Sequence, residues 1–189
     1  MSNKPRLAVV VASTRPGRIG PQVGQWFGAL AEAAFEVVPV DLAEVDLPLL
    51  DEPEHPSSGV YAHEHTRRWS ALVDSMDAYA FVTPEYNHSF PATLKNALDY
   101  LSREWRHKPA GLVGYGMSSA GLRATQMLTP VVRALGMVPV AETVAIPLRQ
   151  RVDDDGRLVP DDTMNTTATA LITSLARYTT ALRSLRTAA

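Results

Sequence analysis

Five short apolar segments recur along the first 145 residues, and amphipathic segments separate them. Each apolar segment is rich in Val or in small apolar residues, which is typical of a strand buried on both faces of a sheet. The segments predict strands over residues 7–12, 36–42, 78–83, 110–117 and 137–145. Between them apolar residues return every three or four positions, as at Val23, Phe27 and Leu30, and this spacing predicts helices.

Strand and helix alternate about five times, which predicts a parallel sheet covered on both faces. We therefore expect an α/β fold: a flavodoxin-like, doubly wound five-stranded parallel sheet of order 2-1-3-4-5. Pro39 lies inside the second predicted strand and favours an edge position or a bulge. The length of 189 residues fits a single domain over 1–189, with a core at 6–145 and a C-terminal extension at 146–189.

The extension has two predicted parts. Asp155-Gly156 is a turn signal and predicts a hairpin or turn over 151–159. A long helix follows, with one apolar stripe formed by Leu171, Leu175, Tyr178, Leu182 and Leu185. We expect the stripe to pack on a face of the sheet, and we rank a dimer surface second.

Composition excludes several classes of protein. The chain is 46% hydrophobic and 20% charged with a net charge of -2, so nothing in it favours nucleic acid or an anionic membrane. We expect no membrane span, and the polar first five residues predict no secretion signal, so we expect a cytoplasmic protein. The absence of cysteine excludes disulfides and thiolate metal sites. His63 and His65 are two positions apart and should face different directions on a helix, so we predict no metal site there.

The loop after the first strand carries the first chemical signal. Residues 13–21 read STRPGRIGP and combine hydroxyl groups with Arg15 and Arg18, directly before a predicted helix. Helix N-termini favour anions, and arginine offers a fork of donors that matches phosphate oxygens. The loop therefore predicts a phosphate site, although neither the P-loop nor the GxGxxG spacing is present.

Two further polar loops follow the third and fourth strands. Residues 84–91 read PEYNHSFP and residues 116–121 read GMSSAG. In the predicted strand order, the carboxyl ends of strands 1, 3 and 4 are adjacent at the point where the order reverses. We therefore expect the three loops to surround one ligand crevice.

The segments STRPGRIG, PEYNHSFPATLKNALDYL and GMSSAGLRA resemble the NADPH-dependent FMN reductase family, and the resemblance runs from residue 6 to about residue 145. It implies FMN in the crevice. The phosphate would be held by Ser13, Arg15, Arg18, Gly20 and Gln22. The isoalloxazine would be lined by Pro84, Glu85, Tyr86 and Asn87, largely through backbone groups, and its other edge would be flanked by Ser118, Ser119 and Gly121.

The resemblance also implies an activity. The protein would pass hydride from NADPH or NADH to FMN and then to a quinone, azo, flavin or similar acceptor by a ping-pong mechanism. FMN would carry the chemistry, so no catalytic side chain is predicted and His88 is given no role. A homodimer or tetramer is implied as well, with the acidic, proline-bearing loop at 41–59 and the final helix as candidate contacts.

Two alternatives stay open. The first is a flavodoxin-type FMN electron carrier without NAD(P)H oxidation. Flavodoxins are strongly acidic and lack arginine in the phosphate loop, so Arg15, Arg18 and the net charge of -2 speak against it. The second is a flavin-free regulatory or ligand-binding domain on the same fold, since fold does not fix function.

Overall fold

The computed structural model describes residues 4–187, so both ends of the predicted domain lie outside the described residues. One parallel sheet has the strand order β2-β1-β3-β4-β5. Its strands are β1 (Arg6–Val11), β2 (Glu36–Asp41), β3 (Ala78–Pro84), β4 (Pro109–Gly116) and β5 (Val138–Pro147). The predicted fold class and strand order are confirmed.

Helices cover both faces of the sheet. They are α1 (Gly20–Ala31), α2 (Leu42–Val45), α3 (Glu64–Asp74), α4 (Ala92–Asp99), α5 (Leu122–Ala134), α6 (Leu148–Arg151) and α7 (Asp162–Thr187). One apolar core lies between the sheet and α1 with α7, and the other lies between the sheet and α3, α4 and α5. Burial of apolar surface on both faces explains why the strands are nearly continuous apolar runs.

Alternation along β1 distributes its side chains between the two cores. Leu7 and Val9 face α1 and α7, whereas Ala8 and Val10 face the opposite layer. All four side chains are at most 2% exposed. β1 is thus an interior strand, and its carboxyl end lies beside that of β3, the middle strand of the sheet.

Pro39 lies exposed on β2, which is an edge strand, as predicted. An edge strand leaves one row of backbone groups unpaired, so the missing N–H of proline is tolerated there.

The final helix packs on β4 and β5 through the first part of its apolar stripe. Leu171 and Leu175 are fully buried, and they approach Gly111 so closely that a Cβ on this glycine would lie 2.9 Å from Leu175 Cδ1. Tyr178 and Leu185, further along the stripe, are 43% and 48% exposed. The expected packing on the sheet is confirmed for the first part of the stripe, and the dimer surface stays a prediction.

Residues 151–159 form the predicted hairpin. Val152 and Leu158 make an antiparallel bridge, and Gly156 has a φ of +76°. The acidic run 153–155 lies in this turn. Across residues 4–187 there is no group of three His, Asp or Glu side chains arranged to hold a metal ion, and no helix there has the length and apolarity to cross a membrane.

The long loop between α2 and α3 is held down by its own polar residues. His63 precedes the first residue of α3, so its ring is free to stack on His65 with centroids 5.2 Å apart. The prediction that the two rings face different directions is therefore wrong. His65 Nε2 lies 2.9 Å from Asp51, and the Tyr100 hydroxyl donates to the same carboxylate at 3.0 Å. These contacts fasten the loop to α3 and to the end of α4.

Candidate functional site

The loops at the carboxyl ends of β1, β3 and β4 surround a cavity of about 580 Å³, as the strand order requires. Its volume is in the range of small-molecule and cofactor sites. Five of the predicted site residues line it: Arg15, Arg18, Pro84, Glu85 and Tyr86. The three loops, far apart in the chain, are thus brought together.

The first wall of the cavity is the β1–α1 loop. α1 begins at Gly20 without a side-chain cap, and it carries Pro21 at its start. The uncapped N-terminus of a twelve-residue helix presents backbone N–H groups and the positive end of the helix dipole. This end of the cavity is therefore suited to an anion.

Two buried hydroxyl groups lie directly beneath this helix start. Ser13 is 1% exposed and Tyr115 is 3% exposed, and neither hydroxyl has a hydrogen-bond partner among residues 4–187. A Cβ on Gly20 would lie 2.4 Å from Ser13 Oγ and 2.7 Å from the Tyr115 hydroxyl. The two hydroxyls are therefore neighbours, without the geometry of a hydrogen bond between them. Only glycine at position 20 leaves room for both.

Arg18 is bound to the neighbouring strand. Its guanidinium donates twice to the Asp41 carboxylate, at 2.7 Å each, and once to the Ser13 carbonyl at 2.8 Å. The hydrogen bond to Asp41 raises the pKa of Arg18, so the arginine stays charged. Asp41 was not predicted from the sequence, although its position at the end of the adjacent edge strand was an available signal. The pair fixes Arg18 at the wall of the cavity.

Arg15 differs from Arg18 in being exposed and in having no ion pair or side-chain hydrogen bond with any residue from 4 to 187. Its guanidinium is consequently available to an anion in the cavity.

Gln22 is placed differently from the prediction. Its side-chain amide donates to the Gly156 carbonyl at 3.1 Å and accepts from the Leu158 N–H at 2.9 Å. Gln22 therefore fastens the 151–159 hairpin onto α1 and does not line the cavity, so a phosphate contact for it stays a prediction.

The loop after β3 is a tight turn that presents Tyr86. Asn87 and His88 both have positive φ, 47° and 68°, and Tyr86 and Ser89 exchange two backbone hydrogen bonds of 2.8 and 2.9 Å. Two central residues of positive φ define a type I′ turn, in which Asn is favoured. Tyr86 is 38% exposed at the cavity wall and is not a core aromatic. Asn87 and His88 lie exposed at the tip of the turn and do not line the cavity.

Glu85 turns its carboxylate toward α5. It accepts hydrogen bonds from the Ser119 hydroxyl and from the backbone N–H and guanidinium of Arg123, the latter two at 3.1 Å each. Its side chain is only 9% exposed. Burial raises the pKa of Glu85, but the hydrogen bonds outweigh burial and leave the pKa below its ordinary value. The side chain thus ties the β3 loop to the β4–α5 loop and stays ionised.

The β4–α5 loop supplies the third wall. Gly121 has a φ of +84°, and a Cβ there would lie 2.2 Å from Tyr115 N, so only glycine permits this close approach. Ser119 is bound to Glu85, and Ser118 is exposed outside the cavity lining. Gly116 and Met117 form the part of this loop that lines the cavity.

A fourth wall comes from the C-terminal extension and was missed by sequence reasoning. Leu148 and Arg149 of α6 line the cavity, together with Val152 and Gly156 of the hairpin. The available signal was topological, since β5 ends at the same edge of the sheet as β4 and α6 follows it directly.

A sequence profile of the family described as NADPH-dependent FMN reductase matches residues 5–150. The chain belongs to the NADPH-dependent FMN reductase family. The profile spans β1 through α6, which includes the three predicted loops.

Two curated relatives agree with this assignment. A protein of Schizosaccharomyces pombe named NAD(P)H-dependent FMN reductase is 40% identical over 127 residues, which cover 65% of this chain. The matched region spans 64% of that protein's length, slightly under two thirds. A 2-hydroxy-1,4-benzoquinone reductase of a Burkholderia species is 30% identical over 167 residues, 84% of this chain and 87% of that protein.

The fold is shared with a solved structure. FerB of Paracoccus denitrificans, described as a flavoenzyme NAD(P)H:(acceptor) oxidoreductase, superposes with a TM-score of 0.76. The superposition covers 94% of this chain and 98% of that one at 23% identity. It supports the fold.

The residues at the cavity fit FMN, the cofactor that the family name implies. One end combines an uncapped helix start with two buried hydroxyls and Arg15, none of which has a side-chain partner within residues 4–187, and together these groups suit a phosphate. Pro84, Tyr86 and Met117 also line the cavity, and these flat or apolar side chains suit a flavin ring.

Proposed function

We propose that the protein is an FMN-dependent NAD(P)H oxidoreductase that reduces quinone, azo, flavin or similar acceptors by a ping-pong mechanism. The observation that carries the proposal is a cavity that combines an end suited to an anion, at the start of α1, with an aromatic and apolar wall made by the β3 and β4 loops. The names of the S. pombe and Burkholderia relatives support the nicotinamide and quinone parts of the proposal.

The residues of the chain would bind and orient. Ser13, Arg15 and the start of α1 at Gly20 would hold the phosphate, and Arg18 would shape that end of the cavity from its place on Asp41. FMN, when bound, supplies the hydride-transfer chemistry.

Glu85 would position the other loops. Its carboxylate is already engaged by Ser119 and Arg123, and its pKa is lowered, so it is unsuited to donating a proton at neutral pH. It would hold the β3 loop, with Pro84 and Tyr86, at a fixed distance from the β4–α5 loop. The activity would therefore depend on placement and on the local electric field more than on a proton-transferring side chain.

The exposure of several cavity-lining side chains supports the binding of both substrates, one after the other, at the same surface. Tyr86 and Met117 are 38% and 56% exposed at the cavity wall, and Arg149, which also lines the cavity, is exposed as well. A flat donor and a flat acceptor could each lie against the same aromatic and apolar surface, one after the other. We expect low selectivity among acceptors for this reason.

We further propose a homodimer, or a tetramer, in the cytoplasm. Apolar side chains are exposed on the loop between α2 and α3, with Leu49 82%, Leu50 42% and Val60 61% exposed. Exposed apolar clusters mark interaction surfaces. Sedimentation at micromolar concentration should give a dimer or larger species, and a monomer would contradict this part of the proposal.

The deciding experiment is an absorbance spectrum. The protein is mixed with FMN and desalted, and NADPH is then added without oxygen, with FMN alone as the control. Flavin absorbance that stays with the protein near ~450 nm and is bleached by NADPH would support the proposal. Retained flavin that is not bleached would indicate an electron carrier instead. No retained flavin, together with no effect of FMN on thermal stability, would refute the proposal.

A further inference from the structure

Tyr115 is a buried residue with a polar group at the site, and the proposed function gives it no role. It lies near the end of β4, and its hydroxyl lies beside that of Ser13, beneath Gly20. Both hydroxyls are shielded from solvent, and neither is paired within residues 4–187. A buried hydroxyl without a partner is destabilising, so a pair of them at one point indicates a ligand that satisfies both.

The charge around the two hydroxyls selects the kind of ligand. They lie at the uncapped N-terminus of α1, where the helix dipole favours negative charge. Arg15 and Arg18 line the same end of the cavity, and the Asp41 carboxylate nearby is already bound by Arg18. A compact anion with several acceptor oxygens fits this setting, whereas a neutral sugar or ring would leave the positive charge unmatched.

We propose that Tyr115 is a binding residue for the phosphate of FMN, acting as a donor together with Ser13, and that it makes the site select FMN over riboflavin. The inference rests on the proposed function. The phenol ring is held in the core, so its oxygen has a fixed position and little rotamer entropy is lost on binding. Burial raises the pKa of Tyr115 to about 12, against an opposing effect of the neighbouring Ser13 hydroxyl, so at neutral pH the Tyr115 hydroxyl keeps its proton and can donate it.

Gly20 completes the arrangement. Any larger residue at this position would bring a Cβ within 2.7 Å of both hydroxyl oxygens and would displace them. The glycine thus keeps the two donors beside the first turn of α1.

A purely structural role for Tyr115 makes the opposite prediction. If its hydroxyl served only to pair with Ser13, then removing it would destabilise the free protein and leave flavin binding unchanged. If the Tyr115 hydroxyl instead donates to a bound phosphate, then removing it should leave the flavin-free protein equally stable or more stable and should weaken FMN binding.

The test compares Tyr115→Phe with the wild type in titrations of FMN and of riboflavin, followed by quenching of flavin fluorescence. The two flavins differ only in the phosphate. We expect the variant to lose about 10-fold to 100-fold in affinity for FMN, as for one hydrogen bond to a charged group, and less than about twofold for riboflavin. Thermal unfolding of the flavin-free variant should occur at the same temperature as in the wild type or higher.

Tyr79→Phe is the matched control. The Tyr79 hydroxyl is also buried, but it donates to the Val73 carbonyl at 2.6 Å, away from the cavity. This variant should unfold at a lower temperature and keep the ratio of FMN to riboflavin affinity.

An unchanged FMN affinity in Tyr115→Phe, or an equal loss for both flavins, would overturn the inference while leaving the proposed function intact. A wild-type protein that binds neither flavin would refute the proposed function and the inference with it.

Discussion

Glu85→Gln is the change that best separates positioning from packing at this site. Glu85 follows β3 directly, and its carboxylate joins the β3 loop to Ser119 and to the first turn of α5 at Arg123. Glutamine has nearly the same shape and can still accept and donate hydrogen bonds. The variant therefore removes the charge and leaves the packing in place.

The size of the effect follows from the contacts. A hydrogen bond to a charged group contributes about 1.5–3 kcal/mol, against about 1 kcal/mol for a neutral one. Loss of negative charge at the N-terminus of α5 removes a further contribution of about 0.3–1 kcal/mol. The ion pair itself adds little because the Arg123 side chain is 42% exposed. We expect a loss of about 2 kcal/mol in the free energy of unfolding, or a Tm lower by about 4–8 °C for a chain of this size.

The pH dependence has a definite sign. The pKa of folded Glu85 lies below its ordinary value of 4.5, since the hydrogen bonds outweigh burial. The ionised carboxylate therefore stabilises the fold above about pH 4.5, and this stabilisation is lost as the pH falls through the folded pKa. The difference between wild type and Glu85→Gln should be largest at neutral pH and should shrink in acid.

Urea unfolding at about pH 7 and about pH 3.5 measures both quantities. Arg123→Gln is the control, and we expect it to lose less than about 1 kcal/mol because its side chain is half exposed. The reasoning would be refuted if Arg123→Gln lost as much stability as Glu85→Gln. It would also be refuted if the wild type and Glu85→Gln differed equally at both pH values.

Three further changes test other parts of the structure. Gly20→Ala should weaken FMN binding about tenfold or more by displacing two buried donors, whereas Gly28→Ala, whose Cβ would meet nothing closer than 3.4 Å, should leave fluorescence titrations unchanged. Gln22→Ala removes two hydrogen bonds from the 151–159 hairpin. Backbone hydrogen exchange in the hairpin should become faster by about tenfold, as for about 1.4 kcal/mol, and no change would contradict its role as a fastener. Lys108 donates at 3.0 Å to two carbonyls at the end of α3, and burial lowers its pKa to about 8 from 10.5. Between these two pH values the unfolded chain binds more protons than the folded protein, so the free energy of unfolding of the wild type should rise by about 3 kcal/mol relative to Lys108→Met from pH 8 to pH 10.5. A difference between the two proteins that does not change with pH would refute the lowered pKa of Lys108.

The order of the elements followed from the sequence because it depends on local patterns. Apolar runs of strand length and helical periodicity act within a few residues, and the strand order then follows from the rules for parallel sheets. The same logic placed the loops of Arg15, Tyr86 and Gly121 at one edge of the sheet. Pro39 was also informative, because a missing N–H in a strand is tolerated at an edge or at a bulge, and β2 is an edge strand.

The partners of the polar side chains depended on the tertiary structure. Nothing local says that Arg18 pairs with Asp41, that Glu85 bonds Arg123, or that Gln22 holds a hairpin more than 130 residues away. Each pairing is set by strand register and helix packing, which bring together residues that no sequence period relates. A one-residue change in the pairing of a strand would turn that strand's side chains to the other face of the sheet.

Tyr115 shows the division most clearly. By sequence it is one aromatic residue in a glycine-rich strand, where a core position explains it fully. Only the folded sheet places its hydroxyl beside that of Ser13 under the start of α1. The sequence by itself determined the fold, the family and the three loops, because these depend on local apolar patterns and on short motifs. The tertiary structure decided which groups meet, because burial and hydrogen bonding are properties of the packed chain.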